Sequence, residues 1–157
     1  MSFLDCTALR WPNHLLFAAA VIAWSICAPS QAAQPGREAI GDWRLTSVLD
    51  NVEITSIDDA QATKLLGRVM AIRKEGTRFG DQTCGAPSLD TERVEPNLYV
   101  RREAWISAKK LHLPNPVTVV DIGCTHVFIK APDRAVIFWD GFYFGAVKVK
   151  DPGRHRH

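Results

Sequence analysis

The most reactive side chains in this 157-residue chain belong to four cysteines and five histidines. Nucleophilic catalysis needs a thiol or hydroxyl within reach of a histidine, usually with a carboxylate behind it. Here that means Cys84 or Cys124 with His112 or His126. Ser88 and Ser107 stand in no nucleophile-elbow motif. A metal site needs three or four ligands at suitable spacing. Cys124, His126 and Asp121 lie close in sequence, but a disulfide cysteine beside a strand histidine at a turn accounts for them. His155 and His157 fall in a polar tail, where fraying is the simpler account. No catalytic, metal or cofactor site is expected from these groups.

The remaining polar candidates also have structural explanations. Asp58-Asp59 and Glu92 with Glu95 are the carboxylate pairs that glycoside-type chemistry would use. Asp58-Asp59 opens a helix, where acids favour the dipole. Arg101-Arg102 could grip an anion, though a solvated helix face explains it as well. The aromatic residues are more suggestive. Trp139, Phe142, Tyr143 and Phe144 crowd one hairpin, with Phe128 and Phe138 nearby and Trp105 on a preceding helix. Alternation places Phe142 and Phe144 on one face and Tyr143 on the other. The choice is between core packing with one exposed tyrosine and an aromatic-lined pocket. For the pocket, the ligand-binding candidates are Trp105, Phe128, Trp139, Phe142, Tyr143 and Phe144.

Residues 1–32 read as a cleavable signal peptide. The apolar run from Leu15 to Cys27 is thirteen residues long, short of the about 20 that span a bilayer. Ser30-Gln31-Ala32 sets small residues around a cleavage point after Ala32, with Ala33 as the second choice. An uncleaved anchor is the alternative. Cleavage removes Cys6 and Cys27 and leaves Cys84 and Cys124, a pair most simply read as a disulfide in an exported chain. Closing a loop of roughly 40 residues, it would stabilise by about 3–4 kcal/mol. Arg10 and Asp5 leave together, so the net charge stays at +2. Nothing here suggests nucleic acid, which calls for a concentrated basic face. The expected setting is periplasmic or secreted, and the mature chain is not an integral membrane protein.

The elements that must position these residues are mostly strands. Residues 33–40 read as a flexible lead-in, 41–150 as one β-rich domain and 151–157 as a polar tail. Trp43, Leu45, Ser47 and Leu49 alternate in a strand over about 42–49. Ser56 with Asp59 signals a helix start, and Gly67 suits its C-terminus. Residues 68–74 and 77–79 form a hairpin, and 89–94 suggests another strand. Asn97 caps a helix over about 98–110 that buries Trp105 and Ile106 and ends before Pro114. Then come four β-rich runs, Val117–Cys124, His126–Lys130, Ala135–Trp139 and Phe142–Val149. Asp140-Gly141 between the last two is a strong hairpin signal. The fold class is mainly β: a small antiparallel up-and-down β-barrel or strongly curled sheet of about seven to eight strands, with two short helices.

Several of these motifs resemble the lipocalin and wider calycin pattern: Gly41-Asp42-Trp43 followed by a strand, then an up-and-down meander. The chain is also similar to small exported bacterial proteins of unassigned function. The similarity lies in Trp43, Leu65-Leu66-Gly67, Cys84, Leu111 to Pro114, Val117–Cys124 and Asp140 to Phe144. The resemblance implies that Trp43 plugs one end of a barrel. The lipocalin Thr-Asp-Tyr motif is missing, the last-strand arginine is replaced at best by Lys148 or Lys150, and the helices interrupt the first half of the sheet.

These readings converge on a non-enzymatic binding module of the cell envelope that takes a small apolar or amphipathic ligand in its barrel. The alternative is a protein-interaction domain, an inhibitor or accessory factor of an envelope enzyme. It would act through the 80–88 loop pinned by Cys84. A continuous apolar cavity favours the first, and a filled core favours the second.

Overall fold

Alternation from Trp43 to Leu45 belongs to a strand, β1 (Gly41–Asn51), longer than the sequence pattern indicates. The computed structural model describes residues 36–104 and 106–150, with 102–104 as backbone only. The leader at 1–32, residues 33–35, Trp105 and the tail at 151–157 lie outside the described residues. After β1 come helix α1 (Asp59–Lys64) and strands β2 (Val69–Arg73), β3 (Gly76–Phe79), β4 (Gln82–Cys84) and β5 (Thr91–Val94). Helices α2 (Pro96–Ala104) and α3 (Ala108–Leu111) lead into β6 (Val117–Asp121), β7 (His126–Ala131), β8 (Arg134–Trp139) and β9 (Phe142–Lys148).

The described residues thus hold nine strands and three short α-helices, where seven or eight strands and two helices were expected. The additional strand is β4. Its three residues, Gln82-Thr83-Cys84, carry no apolar alternation and are paired through the Gly80-Asp81 turn. The additional helix comes from a break in the expected 98–110 segment. Its start is also shifted: Pro96 takes the first helical position, and the Glu95 carboxylate, not Asn97, accepts the Leu98 N–H at 2.7 Å. In α1 the cap is Asp58 rather than Ser56. Its Oδ1 accepts the Gln61 N–H at 2.7 Å, while Gln61 Oε1 accepts the Asp58 N–H at 2.9 Å.

The sheet is antiparallel, in the order β4-β3-β2-β1-β9-β8-β7-β6-β5. This is chain order joined through β1 and β9 and left open between β4 and β5. The result is a strongly curled half-barrel. Three strands separate β3 from β8, so their residues would lie roughly 19 Å apart on a flat sheet. Instead the Phe79 and Trp139 rings meet edge-to-face at 5.4 Å. Two bulges in β1, between Leu45 and Ser47 and between Val48 and Asp50, add to the curl.

Side chains pack on both faces. Trp43, Leu45, Met70, Ile72, Phe79, Ile137, Trp139, Phe142 and Phe144 fill the concave side. Val117, Val119, Phe128, Val136 and Tyr143 pack on the convex side with Val100, Ala108 and Leu111 of α2 and α3. Residues 36–40, read as lead-in, belong to the fold. Arg37–Ala39 forms a 3-10 turn, and Ala39 is buried in the concave cluster.

Trp43 sits beneath that turn, opposite Lys148 on the last strand and fully buried. Its indole Nε1 donates to the Ala39 carbonyl at 2.7 Å. Lys148 Nζ lies 4.9 Å from the ring centroid and donates to the Glu38 carbonyl at 2.8 Å. Burial pushes the Lys148 pKa down, opposed by the Glu38 charge.

Candidate functional site

The site is built where the two ends of the curled sheet approach. Cys84, at the end of β4, is bonded to Cys124 in the β6–β7 turn, with Cα atoms 5.8 Å apart. The disulfide therefore joins an edge of the sheet to strands that are distant in sheet order. Thr77 of β3 adds a second tie, its Oγ1 donating to the Ile122 carbonyl at 3.4 Å.

Local sequence shapes both turns around the bond. Asp121 ends β6, and its Oδ1 accepts the Gly123 N–H at 2.7 Å. Gly123 then adopts a φ of 89°, a conformation that favours glycine. The Ile122 N–H donates to the Thr125 carbonyl at 2.9 Å, and the Thr125 hydroxyl donates to the Phe138 carbonyl of β8. At the β8–β9 turn, Asp140 and Gly141 have φ of 50° and 90°, as the Asp-Gly signal requires. A Cβ on Gly141 would lie 2.8 Å from the Thr55 Cα, so glycine also lets the 52–58 loop dock. That loop is held by Ser56 N–H donating to the Asp140 carbonyl at 3.1 Å.

Between these turns and β4 lies an open cleft of about 440 Å³. Gln82, Thr83 and Cys84 form one wall, and Asp121, Cys124, Thr125 and His126 another. Phe138, Trp139 and Asp140 complete it. A smaller pocket of about 230 Å³ shares Asp121 and His126 and adds Asp90, Glu92 and Tyr99. The Tyr99 ring stands edge-on to His126 at 6.5 Å between centroids and to Phe128 at 5.8 Å.

The sequence-derived candidates do not gather in one place. Trp139, Phe142 and Phe144 belong to the concave cluster, and Phe128 and Tyr143 to the convex one beneath the helices. Tyr143 is buried, not the exposed tyrosine of the bland core reading. Trp139 lines the cleft. Trp105 lies outside the described residues.

The reactive groups are accounted for in similar fashion. The disulfide consumes both thiols weighed as nucleophiles, including Cys124, the one weighed as a metal ligand. Ser88 Oγ accepts the Asp90 N–H at 3.2 Å. Among the described residues no group of three or more His, Cys, Asp or Glu is placed to hold a metal ion. Asp58 and Glu95 are helix caps. The Leu98 N–H is the chief cause that holds the Glu95 pKa below its ordinary value.

The cleft residues Gln82, Thr83, Phe138 and Asp140 were not singled out as a site. The available signal was the 80–88 loop beside Cys84, which contains one wall. The opposite wall comes from turns about 40 and 55 residues further on, brought to it by the curl of the sheet and tied there by the disulfide.

Among the described residues no helix is long and apolar enough to cross a membrane. A disulfide is compatible with a non-cytoplasmic protein. Compared with known proteins, the chain matches no family model, no curated protein and no solved structure.

Proposed function

We propose that this protein is a non-enzymatic interaction module of the cell envelope that binds another protein through the disulfide-pinned cleft. The observation that carries this reading is the position of the cleft. It lies on the rim, between β4 and the β6–β7 and β8–β9 turns, and its walls are tied by Cys84–Cys124. A cross-link of this kind holds a binding surface in shape before the partner arrives, which lowers the ordering cost of association. The concave side of the half-barrel, where a lipocalin-like ligand would sit, is packed with Trp43, Leu45, Phe142 and Phe144, each at most 1% exposed. The calycin-like reading draws support from Trp43 beside the last strand with Lys148 over its ring. A small amphipathic ligand remains the second reading, favoured by Phe138 and Trp139 in the cleft lining.

The test is site-directed photo-cross-linking in living cells. A benzophenone amino acid placed at Gln82, in the cleft, is compared with the same group at exposed Lys109 on α3. The expected result is one protein adduct of defined mass from Gln82 only, lost when Cys84 and Cys124 are both changed to serine. No adduct, or the same adducts from both positions, overturns the reading. An adduct of small-molecule mass at Gln82 transfers the cleft to the ligand reading.

A further inference from the structure

Resting on that reading, we infer that the cleft takes an extended segment of the partner bearing a lysine or arginine. The segment would lie along β4, with its cationic side chain directed to Asp121 and Asp140. The backbone argument starts from the hairpin. Phe79 pairs with Gln82 across the two-residue Gly80-Asp81 turn, and Thr77 pairs with Cys84. In such a hairpin the residues flanking the turn exchange both backbone hydrogen bonds, and the exchange recurs at every second pair. Gln82 and Cys84 therefore point their N–H and C=O groups at β3. Thr83, opposite Arg78, points its own away. Among the described residues the sheet order ends at β4, so no described strand pairs with that side. Thr83 is exposed and lines the cleft. An extended peptide can satisfy one N–H and one C=O there, the way strands add to sheet edges.

The charge argument is independent of the backbone. The cleft lining contains Asp121 and Asp140 and no lysine or arginine. One Asp121 oxygen is engaged by the Gly123 N–H. The Asp140 carboxylate has no ion-pair partner among the described residues. A cationic side chain entering this lining meets carboxylates for its head and Phe138 and Trp139 for its stem. Trp139 is braced from behind by Phe79, so the aromatic part of the lining is fixed. An acidic segment would be repelled by the same groups.

The test uses the oxidised protein and three labelled heptapeptides of alternating threonine and valine, with arginine, glutamate or glycine at the centre, followed by fluorescence anisotropy. The arginine peptide is expected to bind at least roughly ten-fold more tightly than the glutamate one, since a charge-assisted contact is gained by one and a repulsion by the other. Asp140→Asn keeps a residue type that tolerates the left-handed conformation and should cut that preference by about three-fold or more. N-methylating the peptide at the residue opposite Thr83 should weaken binding while leaving the protein untouched. Equal binding of the arginine and glutamate peptides overturns the inference, as does an N-methylated peptide that binds as well as its parent. If no peptide binds while the Gln82 cross-link persists, this inference fails and the interaction reading stands. If both are lost, both fail.

Discussion

Much of β6 to β9 is covered on both faces, whereas β2, β3 and the first half of β1 are covered on the concave face only; the second half of β1, through Leu49, packs with the convex cluster. On the convex side of β6–β9, Val117, Val119, Phe128, Val136 and Tyr143 lie under α2 and α3. On the convex side of β2–β1–β9–β8, one cross-strand row reads Val69, Arg44, Val147, Arg134. Its valines are 39% and 37% exposed. The two regions show what burial does to a sequence pattern. One-sided burial leaves Trp43-Arg44-Leu45-Thr46 alternating. Two-sided burial turns β8 into Arg-Ala-Val-Ile-Phe-Trp, a run with no periodicity to mark its faces. The inner face is continuous across both regions, so differences between them trace to the helices.

The largest expected effect comes from the inner face that both regions share. Trp43→Ala should cost about 3–5 kcal/mol, measured as a shift of the denaturation midpoint at unchanged slope. It leaves a cavity and removes the indole donor to the Ala39 carbonyl. A loss no larger than that of a surface substitution would mean Trp43 does not hold this end of the half-barrel. Next is the tie between regions. Changing both Cys84 and Cys124 to serine should cost roughly 2–5 kcal/mol, and thiol titration of the unfolded wild type should find neither cysteine free without reductant.

A matched pair of substitutions isolates the covering helices. Val136→Ala, at a fully buried convex position, should cost about 1.5–3 kcal/mol. Val69→Ala, at a convex position of the bare region, should stay within roughly 0.5 kcal/mol. Equal losses would break the comparison. The smallest effect belongs to the cap of α2. The folded-state pKa of Glu95 is depressed, so its stabilising contribution is present above the unfolded carboxylate pKa. It is lost as pH falls through the folded value. Glu95→Gln should therefore flatten the acid limb of the stability–pH curve slightly and leave its alkaline limb unchanged.

The hairpins were legible because their determinants are local. Asp140-Gly141 predicts its turn from the left-handed conformations that these residue types tolerate, and the turn has them. The Gly67 stop and the alternation of Phe142, Tyr143 and Phe144 needed only neighbours in the chain. The disulfide was legible by counting, once the leader was set aside. Strand β4 was not, because three polar or small residues carry no period, and its pairing rests on the β3 register. The cap of α2 was misread because Glu95, two residues before Asn97, reaches both orphan N–H groups when Pro96 opens the helix.

By itself the sequence determined a β-rich meander, its turns and its cysteine pair, since each depends on residues within a few positions or on composition. Tertiary structure alone decided which aromatic residues of different strands join one cluster, that Lys148 lies over Trp43, and that β4 meets the β6–β7 and β8–β9 turns in a cleft. Those outcomes depend on the curl of the sheet. Curl accumulates from the twist of every strand pair and from the two bulges in β1. It is a property of the whole sheet, and no short stretch of the chain encodes where its two ends will meet.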